Sequence, residues 1–148
     1  MDTSASLSLM DRILFFKRVQ LLENLSPVDL KQVALIAEEE DFADGEVIAQ
    51  QGEPGDTLFV IVSGEVRVCI TKDDQEVEAA RRKPGEYVGE LSVINREPRI
   101  ATLIAAGEVR ALCIDRKSFE GLIRERPNVS LAVIQVLGRR LKEATEKR

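Results

Sequence analysis

The sequence predicts a mainly β fold with flanking helices: two helices, an eight-stranded antiparallel β-roll or jelly roll, then two further helices. Three observations lead there. Between Glu38 and Ile114 short apolar runs alternate with turn signals at close, even spacing. In one such run Val66, Val68 and Ile70 alternate with Glu65, Arg67, Cys69 and Thr71, the two-residue period of a strand with one buried face. On either side of this region the apolar spacing changes to a helical one.

Taken in order, residues 1–8 (MDTSASLS) are small and polar and read as a disordered leader. From Leu9 to Glu23 the positions Ile13, Leu14, Phe16, Val19 and Leu21 suit an amphipathic helix that breaks near Val19. Ser26 as N-cap, Pro27 at the first helical position and Asp29 in the first turn restart the chain as a second helix to Ala37. The β-roll is expected over 38–114. Its runs are Glu46–Gln50, Thr57–Val62, Glu65–Thr71, Val77–Ala80, Ile100–Ala105 and Arg110–Ile114. Gly45, Gly52, Gly55, Ser63-Gly64, Lys83-Pro84-Gly85 and Ala106-Gly107 punctuate them and read as turns. Helices are expected over 115–148. A short one, Ser118–Arg124, ends before Pro127, and a longer one from Asn128 carries Leu131, Ile134, Leu137 and Leu141. Residues 9–148 are read as a single domain.

Composition excludes several functions. Net charge is −5, and the one basic concentration, near the C-terminus, is interleaved with Glu143 and Glu146. That disfavours a phosphate-backbone surface, and an aromatic content of 4% offers no stacking platform for single strands. With no histidine in the chain, histidine metal ligands, histidine-activated nucleophiles and the commonest general base are all absent. Neither an enzyme nor a metal site is expected. Cys69 and Cys113 sit in apolar strand-like runs and read as buried, inert thiols in a reducing, cytoplasmic setting. Neither a membrane span nor a secretory signal is visible.

The stretch Gly85–Thr102, GEYVGELSVINREPRIAT, carries the chemistry. It reads as a strand end, a helical turn from Gly89, and a loop to Pro98-Arg99 that re-enters a strand. A glycine at the head of the turn admits close approach of a ligand to the backbone, and the free N–H groups there favour an anion. Glu90 adds a carboxylate and Arg99 a guanidinium, a combination suited to one phosphate and one sugar hydroxyl.

The ordered glycine pattern resembles the cyclic nucleotide-binding domain family, of the catabolite-activator and protein kinase A regulatory-subunit type. Gly45-Glu46-Val47-Ile48, Gly52-Glu53-Pro54-Gly55-Asp56, Leu58-Phe59-Val60-Ile61 and Gly64-Glu65-Val66 are similar to the family's first half. Gly85, Gly89-Glu90-Leu91, Pro98-Arg99 and Ala101-Thr102 are similar to its phosphate-binding cassette. The likeness covers residues 20–142. It implies that Glu90 accepts the ribose 2′-hydroxyl and that Arg99 pairs with the cyclic phosphate. Amides around Leu91 and Ser92 complete the anion site, and Gly89, Ile100 and Ala101 line it. The family pattern is departed from at Ile100, where a small or hydroxylated residue is usual, and at Val88 and Ser92.

What the resemblance implies is a regulatory module for cyclic AMP or cyclic GMP in which ligand capture in the cassette moves the C-terminal helices. Leu137, Arg140 and Leu141 are the candidates to approach the base. The alternative is a degenerate pocket on a protein-interaction or dimerisation module, favoured by Ile100, with a homodimer or a larger fused or partner effector as the associate. A third reading, an enzyme of cupin type, lacks the histidine-carboxylate cluster such chemistry uses. In transcription factors of the family a winged helix-turn-helix follows the long helix. The sequence stops before one, so no direct DNA contact is expected.

Overall fold

The computed structural model describes residues 5–146. It divides into a helical unit, residues 5–36 with 117–146, and a sheet unit, residues 37–116. No helix among the described residues is long and apolar enough to cross a membrane.

In the helical unit, α1 (Leu9–Phe16) begins with a capping box: the Asp11 amide donates to Ser8 Oγ at 3.1 Å and the Ser8 amide donates to Asp11 Oδ2 at 3.2 Å. Ser8 therefore belongs to a helix start, while residues 1–4 of the expected leader lie outside the described residues. The helix ends at Phe16 and a 3-10 turn follows at Gln20–Leu22, so the first helical segment is shorter than the expected run to Glu23. Phe16, Val19, Leu21 and Leu22 are buried. Ser26 Oγ accepts from the Asp29 amide at 3.2 Å and opens α2 (Pro27–Ile36). Asp29, itself buried, forms an ion pair with Arg126. Helix α5 (Asn128–Glu146) reaches the 3-10 turn, where Arg139 pairs with Glu23.

The sheet unit has six strands rather than eight: β1 (Glu38–Phe42), β2 (Val47–Ala49), β3 (Thr57–Lys72), β4 (Gln75–Arg82), β5 (Tyr87–Val88) and β6 (Thr102–Asp115). All pairs are antiparallel, in the order β1-β6-β3-β4, with β2 also on β6 and β5 on β3. Two expected turns are not turns. At Ser63-Gly64 the chain stays within β3, and at Ala106-Gly107 within β6. The register slips there, between Ile61 and Ser63 and between Ser63 and Glu65, so the strands bend without breaking. Gly64 has φ +80°, and a Cβ at that position would lie 2.2 Å from the Glu108 carbonyl oxygen, so only glycine fits.

Strand β1 reads EEEDF and has no apolar alternation, yet it pairs with β6 from Glu38–Cys113 to Phe42–Val109. Its partner supplies the reason: the buried Arg110 guanidinium grips Asp41 through both oxygens, Nε to Oδ1 at 2.8 Å and Nη2 to Oδ2 at 3.2 Å. The core of this unit holds Phe59, Ile61, Val66, Val68, Leu103 and Val109 among others. Cys69 and Cys113 are free and buried, and burial pushes both thiols up.

Gly64→Ala is expected to destabilise the protein by about 1–3 kcal/mol, because the new methyl must displace backbone. Gly45→Ala, at φ +82° with nothing within 4 Å of the added Cβ, should cost only about 1 kcal/mol of conformational strain. Urea unfolding of both variants checks the difference, and equal losses would remove the steric account of the bend.

Candidate ligand site in the Gly89–Ala101 cassette

The Gly52–Asp56 loop frames the site. Its Gly52 amide donates to the Arg99 carbonyl at 2.8 Å, and the Arg99 amide donates to the Glu53 carbonyl at 2.9 Å. These two bonds fix the Arg99 backbone from both sides. The side chain turns inward until the residue is only 8% exposed. Its Nη1 donates to the Thr57 carbonyl at 3.0 Å, and the guanidinium carbon lies 5.3 Å from the centre of the Phe59 ring. Phe59 in turn meets Phe42 edge-on at 6.3 Å between centroids.

Two glycines leave the space. A Cβ at Gly55 would lie 2.0 Å from Arg99 Nε, and one at Gly89 would lie 2.7 Å from both Arg99 Nη1 and the Thr57 carbonyl oxygen. Gly55 has no positive φ, so its part here is to leave room rather than to turn the chain. Gly89 does both, since its φ is +91° at the head of α3 (Glu90–Asn95). Desolvation pulls the Arg99 pKa down, while Asp56 opposes the shift and Arg116 adds to it. Arg99 forms no ion pair among the described residues.

The remaining expected residues scatter around this socket. Glu90 is half-buried, and burial raises its carboxyl pKa against the opposing pull of its own amide and of Arg82. Its neighbouring charge is thus Arg82, and it makes no ion pair with Arg99. Ser92 is buried; its amide donates to the Gly89 carbonyl at 3.2 Å, and its carbonyl accepts from Arg116. Leu91 and Ile100 are exposed, at 39% and 61%. Ala101 lies in the apolar core of the sheet. The structure brings Gly89 and Arg99 together, places Glu90 in the same turn, and sets Ala101 inside the packing.

Sequence reading assigned no part to Phe59, the Thr57 carbonyl, Gly55 or Arg116. Gly55 and Phe59 stand in stretches that carry the resemblance, but nothing local ties any of the four to the site, because each acts on a residue far along the chain. A cavity of about 660 Å³ lies beside the loop, lined by Pro54, Gly55, Asp56, Arg96, Glu97, Pro98 and Arg116, and none of the expected ligand residues borders it. Among the described residues no three His, Cys, Asp or Glu side chains cluster as a metal site.

A bent antiparallel sheet that holds a glycine-led helical turn beside an inward arginine, with helices before and after it in the chain, has the architecture of a cyclic-nucleotide regulatory domain. The model of the cyclic nucleotide-binding domain matches residues 39–126, and the chain belongs to that family. It is 32% identical over 134 residues to the CRP-like cAMP-activated global transcriptional regulator of Mycobacterium tuberculosis, covering 90% of this chain and 59% of that protein. The chain thus spans a little under three-fifths of this curated relative. Among solved structures it is similar to the N-terminal domain of a transcriptional regulator from Streptomyces coelicolor, with a TM-score of 0.81 and 29% identity, covering 90% of this chain and 94% of that one. It is also similar to the regulatory domain of Toxoplasma gondii PKA with cAMP, at 0.79 and 30%, covering 91% and 50%. The Thermus thermophilus catabolite activator protein follows at 0.77 and 30%, covering 86% and 61%.

Gly55→Ala is expected to expel the guanidinium from its place over Phe59 while leaving unfolding free energy within about 1 kcal/mol, since the clash falls on a flexible side chain. The Arg99 Nε–Hε resonance, shifted by the Phe59 ring, should move toward its free position. A loss of several kcal/mol would instead make the socket part of the structural core.

Proposed function

We propose that the cassette binds cyclic AMP or cyclic GMP as a regulatory ligand and passes its presence to the C-terminal helices. The observation that carries this reading is Arg99, a nearly buried guanidinium that forms no ion pair among the described residues and is kept by one carbonyl and one ring face. Desolvating an arginine so far is unfavourable without a counter-charge, and a phosphate offers one that fits its planar fork. Glu90 is the acceptor for the ribose 2′-hydroxyl, apart from Arg99 so that the phosphate is not repelled. The Leu91 amide is the stronger backbone donor, because the Ser92 amide is already engaged by Gly89. Ile100 is too exposed to fill the socket, which supports an open site. Ala101 contributes by its small size.

The cAMP named for the Toxoplasma and Mycobacterium relatives supports the ligand class. The cavity beside the Gly52–Asp56 loop is a poorer candidate, since its Arg116 guanidinium already serves backbone carbonyls. The second reading, a dimerisation or docking module, is favoured by a separate observation: on α5, Leu131, Ile134 and Leu141 are 55%, 59% and 69% exposed at spacings of three and seven. A homodimer is the partner proposed there, and it is compatible with ligand binding. A role without catalysis or metal, in a reducing cytoplasm or within a larger effector protein, completes the proposal.

Calorimetric titration with cyclic AMP and cyclic GMP is expected to show binding that Arg99→Ala weakens ten- to a thousandfold, about 1.4–4 kcal/mol for a desolvated charge pair. Ile100→Ser should tighten it by about tenfold through one added hydrogen bond to the phosphate. No heat at millimolar nucleotide from folded protein would leave the docking reading.

Acidification gives an independent check. Because the Glu90 carboxyl titrates above its ordinary value, affinity should weaken as pH falls through that raised pKa, earlier than for an ordinary glutamate. Glu90→Gln should flatten the profile. In the ligand-free protein the sign reverses: the neutral form is favoured on folding, so the stability linked to Glu90 is fully present at low pH and is lost as pH rises through the raised pKa.

A further inference from the structure

Arg116 lies where the sheet ends and α4 (Arg116–Glu125) begins, and its amide and guanidinium both bond to main-chain carbonyls. Its amide donates to the Asp56 carbonyl at 2.7 Å. Its guanidinium donates through Nη2 to the Gly55 carbonyl at 3.2 Å and to the Ser92 carbonyl, and through Nε to the Val93 carbonyl at 3.4 Å. These acceptors belong to the two sides of the Arg99 socket. Gly55 forms one wall, and α3, whose leading Gly89 forms the other, carries Ser92 and Val93. One planar cation thereby cross-links the loop to the cassette helix through main-chain oxygens alone. No side-chain identity on the partners contributes, so the link depends on the length and fork of arginine.

We propose that Arg116 is a positioning residue for the ligand site: by tying Gly55 to Ser92 and Val93 it fixes the width of the socket and holds Arg99 aimed at the bound anion. The inference rests on the cyclic-nucleotide reading above. Charge alone does not account for the role. A lysine at this position keeps the positive charge but, as a compact head on a flexible stem, cannot span three carbonyls on two segments. Removing the cross-link lets the loop and α3 separate, and Arg99 then samples positions in which its fork no longer faces the phosphate.

The test is titration of the wild type, Arg116→Lys and Arg116→Gln with cyclic AMP and cyclic GMP, together with nucleotide dissociation rates and melting temperatures of the ligand-free proteins. Arg116→Lys is expected to bind about tenfold more weakly, with the loss in the dissociation rate, while its melting temperature changes by only a few degrees. Its Arg99 Nε–Hε resonance should broaden or shift, which a role confined to stability would not produce. Arg116→Gln should lose at least as much affinity; should it fail to fold, the lysine variant decides alone. Wild-type affinity in Arg116→Lys overturns the positioning role and leaves the ligand reading intact. A wild type that binds neither nucleotide overturns both.

Discussion

The antiparallel pairing of β3 with β6 runs from Thr57 opposite Asp115 to Cys69 opposite Thr102, and the sheet hangs on it: β4 and β5 join through β3, β1 and β2 through β6. Its two strand ends are also the anchor of the site. Immediately before Thr57 comes the Gly52–Asp56 loop, and immediately after Asp115 comes Arg116; the register brings them side by side. The strands stay continuous only because they bend at bulges, where Gly64 gives way to the Glu108 carbonyl. The bends let Phe59, Val66, Leu103 and Val109 share one core.

Against that rigid frame, Arg99 breaks a local rule of folding. A guanidinium is rarely so buried without an ion pair, and the compensation visible here is small: one carbonyl, one aromatic face and the field of Asp56. The surrounding structure over-determines its position instead. Two backbone hydrogen bonds fix its main chain, and Gly55 and Gly89 remove the side chains that would displace it. Departures of this kind from a locally consistent sequence tend to mark functional sites, because stability elsewhere supports them.

Much of this was legible in the sequence, and the misses share one cause. Val66 and Val68 announce a strand by alternation, although a bulge between Val68 and Cys69 then buries Cys69 and turns the expected inward Ile70 out. Ser26-Pro27 announces a helix start, and both signals are local. The Gly89-Glu90-Leu91 turn and Pro98-Arg99 likewise stand within a few residues of each other. Strand β1 was hidden because EEEDF has no apolar face, and Arg110, which holds Asp41, lies 69 residues away. Taking Gly64 and Gly107 as strand ends split β3 and β6 into two runs each, since a bulge glycine and a turn glycine look alike without the partner strand. Gly55 read as a turn residue for the same reason: Arg99, the side chain that needs its missing Cβ, is 44 positions on (99 − 55).

The fold also keeps the two charged groups of the cassette from neutralising each other. Had Glu90 paired with Arg99, the pocket would hold a satisfied ion pair, and any ligand would first have to break it. Instead each responds to a different neighbour: Glu90 feels Arg82 from β4, and Arg99 feels Asp56 from the loop and Arg116 from the sheet end. Burial disfavours the charged form of both, raising the carboxyl and lowering the guanidinium, so each gains when a polar group arrives. A ligand that carries an anion at one end and a hydroxyl donor at the other meets both needs at once, whereas a simple anion meets only that of Arg99. On the proposed reading, selection of a cyclic nucleotide over free phosphate therefore follows from the separation of the two charges as much as from the identity of either.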